Sequence, residues 1–199
     1  MWFKVAFSLL ALPGFGIAAD MAIISKHIGA VQVYAYGTNI SGLPVYAGQD
    51  GMAYISESSE NLTTIDCKHI LEGISSILTS LTLLVNIDST GKLPWNVTGN
   101  FSTTIDREFY IVTTSGAYEQ AGFVEANSSL PSGAVKTGFM TYGAYIVYLD
   151  TNKILSEFWA QAINTAGTWA LKWNEDGSSQ TNSVPVSLKT MAPTRPNHS

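Results

Sequence analysis

From residue 30 to 36 the chain alternates. Val31, Val33 and Ala35 point one way and Gln32, Tyr34 and Tyr36 the other, the period of a strand with one face in a core. Residues 43–46 and 52–55 flank Gly48-Gln49-Asp50-Gly51, a turn sequence that predicts a hairpin. Residues 81–87 are almost wholly apolar and read as a buried strand. Residues 109–113, 121–124 and 137–141 continue the series. Residues 145–149 lead through Asp150-Thr151-Asn152-Lys153 into a run over 154–163. Residues 168–173 lead through Asn174-Glu175-Asp176-Gly177 toward a last strand over 184–189. One stretch departs from this period. Ile70, Leu71, Ile74, Ile77, Leu78 and Leu81 recur at helical spacing behind a capping Asp66, which predicts one short helix over 67–79. Short strands at close spacing predict an all-β domain over 20–190, an antiparallel β-sandwich or barrel.

The first nineteen residues follow a different logic. Lys4 supplies a positive charge, residues 5–12 are apolar, Pro13, Gly14 and Gly16 break the run, and Ala18 and Ala19 are small. That is the layout of a secretory signal peptide, with cleavage expected after Ala18 or Ala19. The apolar run is too short to cross a bilayer, which needs about 20 residues, and no later segment reads as a spanning helix. The polar end over 194–199 lacks the apolar tail of a lipid-anchor signal, and a disordered tail is expected over 191–199. Asn-x-Ser/Thr occurs six times, at Asn39, Asn61, Asn96, Asn100, Asn127 and Asn197. Random order of the same residues gives about two, so the excess points to N-glycosylation in an exported chain. Asn197 lies at the extreme end and is the poorest acceptor, which leaves the other five.

Composition sharpens the picture. Hydrophobic residues make up 46% and charged residues 13%, the balance of a folded chain with a surface rich in Ser, Thr, Asn, Gly and Tyr. Net charge is -5 and the ten basic residues are scattered, which argues against nucleic acid and anionic membranes as partners. Cys67 is alone, so no internal disulfide forms. Burial as a small hydrophobe is the plainer expectation and an intermolecular bridge the other.

Candidate chemistry is sparse. No Gly-x-Ser-x-Gly elbow, His-Glu-x-x-His or phosphate-binding loop occurs, and one Cys with three scattered His predicts no metal site and no cofactor. Asp106 and Glu108 share a face at strand spacing, and Asp66 and His69 can meet across a helical turn. The plainer readings are two solvated charges and a helix cap beside a surface His. Aromatic residues stand out more. Trp169 and Trp173 share one face of their strand, Phe158 and Trp159 take opposite faces, and Tyr142, Tyr145 and Tyr148 add rings with polar tips. Trp159, Trp169, Trp173 and Tyr145 are the candidate ligand-binding residues, by stacking on sugars or wrapping an apolar small molecule; the competing reading is that the rings fill the core.

The segments Gly167-Thr168-Trp169-Ala170-Leu171-Lys172-Trp173-Asn174 and Val184-Pro185-Val186-Ser187-Leu188, with Gly138-Phe139, Tyr142-Gly143 and Tyr145 upstream, resemble small secreted proteins of filamentous fungi. That resemblance covers the last third of the chain. It implies a fungal, secreted setting and carries no catalytic residue. Three readings stay open: a non-enzymatic glycoprotein that binds carbohydrate or a small ligand, or acts at the cell surface; a small enzyme templating cyclisation or isomerisation of a hydrophobic metabolite, which needs shape more than signature residues; and a structural wall or matrix protein.

Overall fold

A computed structural model describes residues 27–48, 50–58, 84–88, 90–98 and 107–194. Among them every regular element is a strand and every pairing is antiparallel. The helix expected over 67–79 and Cys67 lie outside the described residues, as do Asp66, His69 and Asp106.

Six strands close a barrel: β2 (Tyr34–Gly37), β3 (Ile40–Ala47), β4 (Ala53–Ser56), β15 (Thr168–Asn174), β14 (Phe158–Ala162) and β16 (Ser183–Lys189), with β16 paired back to β2. Closure removes the open edges that a sheet would otherwise expose. β16 meets β14 over 183–185, β2 over 186–189, and β12 (Tyr145–Asp150) at 188–189. β12 carries hairpins to β11 (Phe139–Tyr142) and β13 (Lys153–Leu155). β15 likewise meets β4 over 168–170 and β8 (Tyr118–Gln120) over 172–174. The second sheet holds β1 (His27–Gln32), β5 (Leu84–Asp88), β6 (Asn96–Thr98), β7 (Arg107–Val112), β9 (Gly122–Glu125) and β10 (Ala134–Val135). A bridge between Met52 and Gly122, and the bond from Ala121 N–H to the Leu171 carbonyl at 2.9 Å, tie the two together.

Turn chemistry sets several registers. Tyr142 pairs with Tyr145 across Gly143-Ala144, where Gly143 has φ 62°, the conformation that a two-residue hairpin requires at its first position. Between the pairs Ala35–Leu43 and Tyr36–Ser41 one extra residue, Gly42, sits in β3 at φ 69° and bulges the strand. A side chain at Gly42 would collide with Pro193, because residues after β16 return along this hairpin, where the Tyr36 hydroxyl donates to the Met191 carbonyl at 2.8 Å.

The face that Trp169, Leu171 and Trp173 share by alternation is the inward one. Leu171 and Trp173 of β15, Val186 and Leu188 of β16, and Ala53 and Ile55 of β4 enter one core together with Trp95, Phe109, Ile111 and Phe123 of the second sheet. Residues 30–36 do not form one strand. They divide at Val33 into β1 and β2, so that one end serves each sheet. The run over 154–163 divides into β13 and β14 around Ser156 and Glu157.

Candidate functional site

Inside, aromatic rings pack in a continuous chain. Phe123 meets Phe109 at 5.5 Å between centroids, Phe109 meets Phe139 at 4.9 Å, and Phe139 meets Tyr148 at 5.7 Å. Tyr148 meets Trp173 edge-on at 5.6 Å, Trp173 meets Phe158 at 5.0 Å, and Trp95 joins at Phe139. These are tilted and edge-to-face geometries of the kind aromatic quadrupoles favour. The chain of rings crosses from the second sheet into the barrel and fills the space between them. A cavity remains between Val33, Val45, Leu171 and Leu188 of the barrel and Trp95, Phe109 and Phe123 opposite. It offers about 20 Å³ to the centre of a water-sized sphere, and its lining is wholly apolar. That is room for about one water and no polar group to hold it, far below the several hundred Å³ of a metabolite site.

The four candidate ligand residues do not converge. Trp173 is fully buried in the ring chain, and its indole N–H donates to Glu175 Oε2 at 2.7 Å. Trp169, on the same inward face, is half-buried against the core. Trp159 is on the outer face, between Lys172 and Pro185 on the neighbouring strands. It is only 8% exposed, and its indole N–H has no acceptor among the described residues. Tyr145 alone is well exposed, at 45%.

Tyr145 belongs to a row. Direct cross-strand partners share a face, and successive pairings place Pro44, Tyr34, Lys189, Tyr145 and Tyr142 side by side across β3, β2, β16, β12 and β11. Their neighbours Leu188 and Ile146 point into the core, so the row faces out. Strand spacing makes it about 19 Å long. Tyr142 is 67% exposed. Lys189 Nζ lies 4.6 Å from the ring centre of Tyr36 and 4.6 Å from that of Tyr145, held between two π faces. The sequence offered part of this site: Tyr34 and Tyr36 alternate outward, and Tyr145 was a candidate. Lys189 was missed, because only the closing of β16 on β2 and β12 sets it beside these tyrosines.

Several other polar groups pair with one another. Glu108, expected as a solvated charge, is buried on β7 and accepts from Lys136 Nζ at 2.5 Å. Tyr54 donates to Asp50 Oδ2 at 2.7 Å and Asp50 Oδ1 accepts from the Met52 N–H, which fastens the β3–β4 turn. Burial pushes the phenols of Tyr46, Tyr110, Tyr118 and Tyr148 up, and the carboxylate of Asp50 adds to the effect at Tyr110. Among the described residues no three His, Cys, Asp or Glu side chains group as metal ligands, and no helix is long and apolar enough to cross a membrane. Comparison with family models, curated proteins and solved structures finds no match. The class that fold and site define is therefore an all-β protein with a closed six-stranded barrel and an outward row of tyrosines.

Proposed function

We propose that the protein is a secreted, N-glycosylated, non-enzymatic carbohydrate-binding protein, and that the outward row from Tyr34 to Tyr142 is its binding surface. The observation that carries this reading is two exposed rings, Tyr142 and Tyr145, paired directly on neighbouring strands of one sheet. An exposed aromatic patch on an ordered scaffold marks an interaction site, and a tyrosine offers both a flat apolar face and a hydroxyl to a sugar. Among the described residues the apolar cavity in the core, about 20 Å³, is too small for a metabolite. Export and glycosylation agree with the sequons that lie within the described residues. Asn39 is exposed in the β2–β3 turn at φ 62°, Asn127 is exposed in a turn after β9, and Asn96 is exposed on β6. Asn61 and Asn100 lie outside the described residues.

The test is secretion from a eukaryotic host followed by intact mass with and without enzymatic removal of N-glycans, then a glycan array and calorimetry. The expected result is a mature chain lacking residues 1–19, mass loss on deglycosylation, and saccharide affinity that falls about tenfold in the double variant Tyr142→Ala/Tyr145→Ala. Unchanged affinity in that variant would overturn the assignment of the surface. Retention of residues 1–19 would overturn the export reading.

A further inference from the structure

We infer that the saccharide taken by the tyrosine row is an acidic one, whose carboxylate meets Lys189 Nζ while its sugar faces rest on Tyr145 and Tyr142; this rests on the carbohydrate reading above. The strands β3, β2, β16, β12 and β11 lie side by side. They contain two charged residues, Lys189 and Asp150, and Asp150 stands at the end of β12 away from Tyr145. The whole chain carries a net charge of -5, yet the charge set beside the exposed Tyr145 is a cation.

The geometry says how that cation is held. Its ammonium lies 4.6 Å from two ring centres, Tyr36 and Tyr145, and has no carboxylate within ion-pair range among the described residues. Ring faces attract the charge but accept its N–H groups only weakly. An ammonium has three donors, and this one therefore keeps donor capacity for an anion arriving from solvent. The Tyr36 ring is itself fixed, since its hydroxyl donates to the Met191 carbonyl at 2.8 Å. Lys189 is thus pre-positioned at the centre of the row, with Tyr145 and Tyr142 on one side and Tyr34 on the other. A neutral saccharide would use the rings alone. A uronate would use rings and charge together, and a carboxylate is the group that this cation complements.

The experiment is calorimetric titration of the full secreted chain with tetramers of galacturonate, glucuronate and mannuronate and with their carboxyl-reduced forms, which differ only in the charged group. The proteins are the unmodified chain, Lys189→Gln, Lys189→Arg and Tyr145→Ala, each checked for folding by circular dichroism and thermal midpoint. At least one uronate tetramer should bind about tenfold more tightly than its reduced form, with a preference that shrinks as salt is added. Lys189→Gln should erase the preference for the uronate over its reduced form, while Lys189→Arg should keep it. Reduced forms binding as well as uronates, sensitive to Tyr145→Ala but not to Lys189→Gln, would overturn the acidic ligand and leave the carbohydrate reading standing. A uronate preference that survives Lys189→Gln would also overturn it. If no tetramer binds, the acidic ligand is overturned, and the glycan array alone judges the carbohydrate reading.

Discussion

Phe139 joins the two sheets. It sits on β11, is fully buried, and its ring meets Trp95, Phe109 and Tyr148 at 5.6, 4.9 and 5.7 Å. Replacing it with Ala removes the ring and leaves a hole whose walls are three large aromatics, Phe109 on β7, Tyr148 on β12 and Trp95 just before β6. Such walls collapse poorly, and Trp95 and Phe109 already line the cavity of about 20 Å³. Phe→Ala in a core costs about 3–5 kcal/mol, and the poor collapse places this one in the upper half. Total stability for a domain is about 5–15 kcal/mol, so the loss is a large share of it. At about 2–4 °C per kcal/mol for a chain of this size, the melting temperature should fall by about 10–15 °C. Phe139→Leu keeps most of the volume and should cost less than about 1.5 kcal/mol. Urea unfolding followed by tryptophan fluorescence reads both, since Trp95 touches the altered site. A Phe139→Ala cost below about 1.5 kcal/mol, or a Leu variant as unstable as the Ala variant, would refute the claim that this ring staples the sheets.

Three further outcomes are expected. The phenols of Tyr46, Tyr110, Tyr118 and Tyr148 are pushed above their ordinary 10.0, chiefly by burial, so the folded state holds their protons where the unfolded chain releases them. Stability from this source is complete below about pH 10 and is lost as pH rises toward the folded values; phenolate absorbance in which all nine Tyr titrate together, with the fold intact, would contradict it. Lys136→Met strands the buried Glu108 carboxylate and should cost about 2 kcal/mol in chemical denaturation, whereas Glu108→Leu/Lys136→Met should regain most of that; a double variant less stable than the single would reverse the argument. Gly138→Ala should cost about 1–3 kcal/mol, because Gly138 has φ 95° and its new Cβ would lie 2.6 Å from the Tyr148 ring. Gly143→Ala meets nothing within 4 Å and should cost only about 1–2 kcal/mol for its φ of 62°, so equal thermal shifts would show that the ring contact is immaterial.

How much was readable before folding depends on the length of each pattern. β15 is seven residues, long enough for alternation to set Trp169, Leu171 and Trp173 on one face, and the fold turns that face into the core. β6, β8 and β10 are three, three and two residues, too short to show any period, and escaped notice. Val33 breaks an alternating run, and Ser156 with Glu157 a mostly apolar one, in both cases without Gly or Pro. The breaks there come from one end of the chain being claimed by a different neighbour, which no local signal records.

The candidate site divides the same way. The sequence alone determined an all-β chain, its turns at Gly51, Asp150 and Gly177, and the shared face of Tyr34 and Tyr36 opposite Val33 and Ala35, because a strand's two faces follow from a two-residue period internal to the segment. Tertiary structure alone decided that Trp173 fills the core while Trp159 lies on the outer face, and that Lys189 stands between the rings of Tyr36 and Tyr145. Residues 36, 145 and 189 meet because β16 closes on β2 and on β12. Hydrogen bonding between strands far apart in sequence is chosen by how the whole barrel closes and fills, and no single strand carries that information.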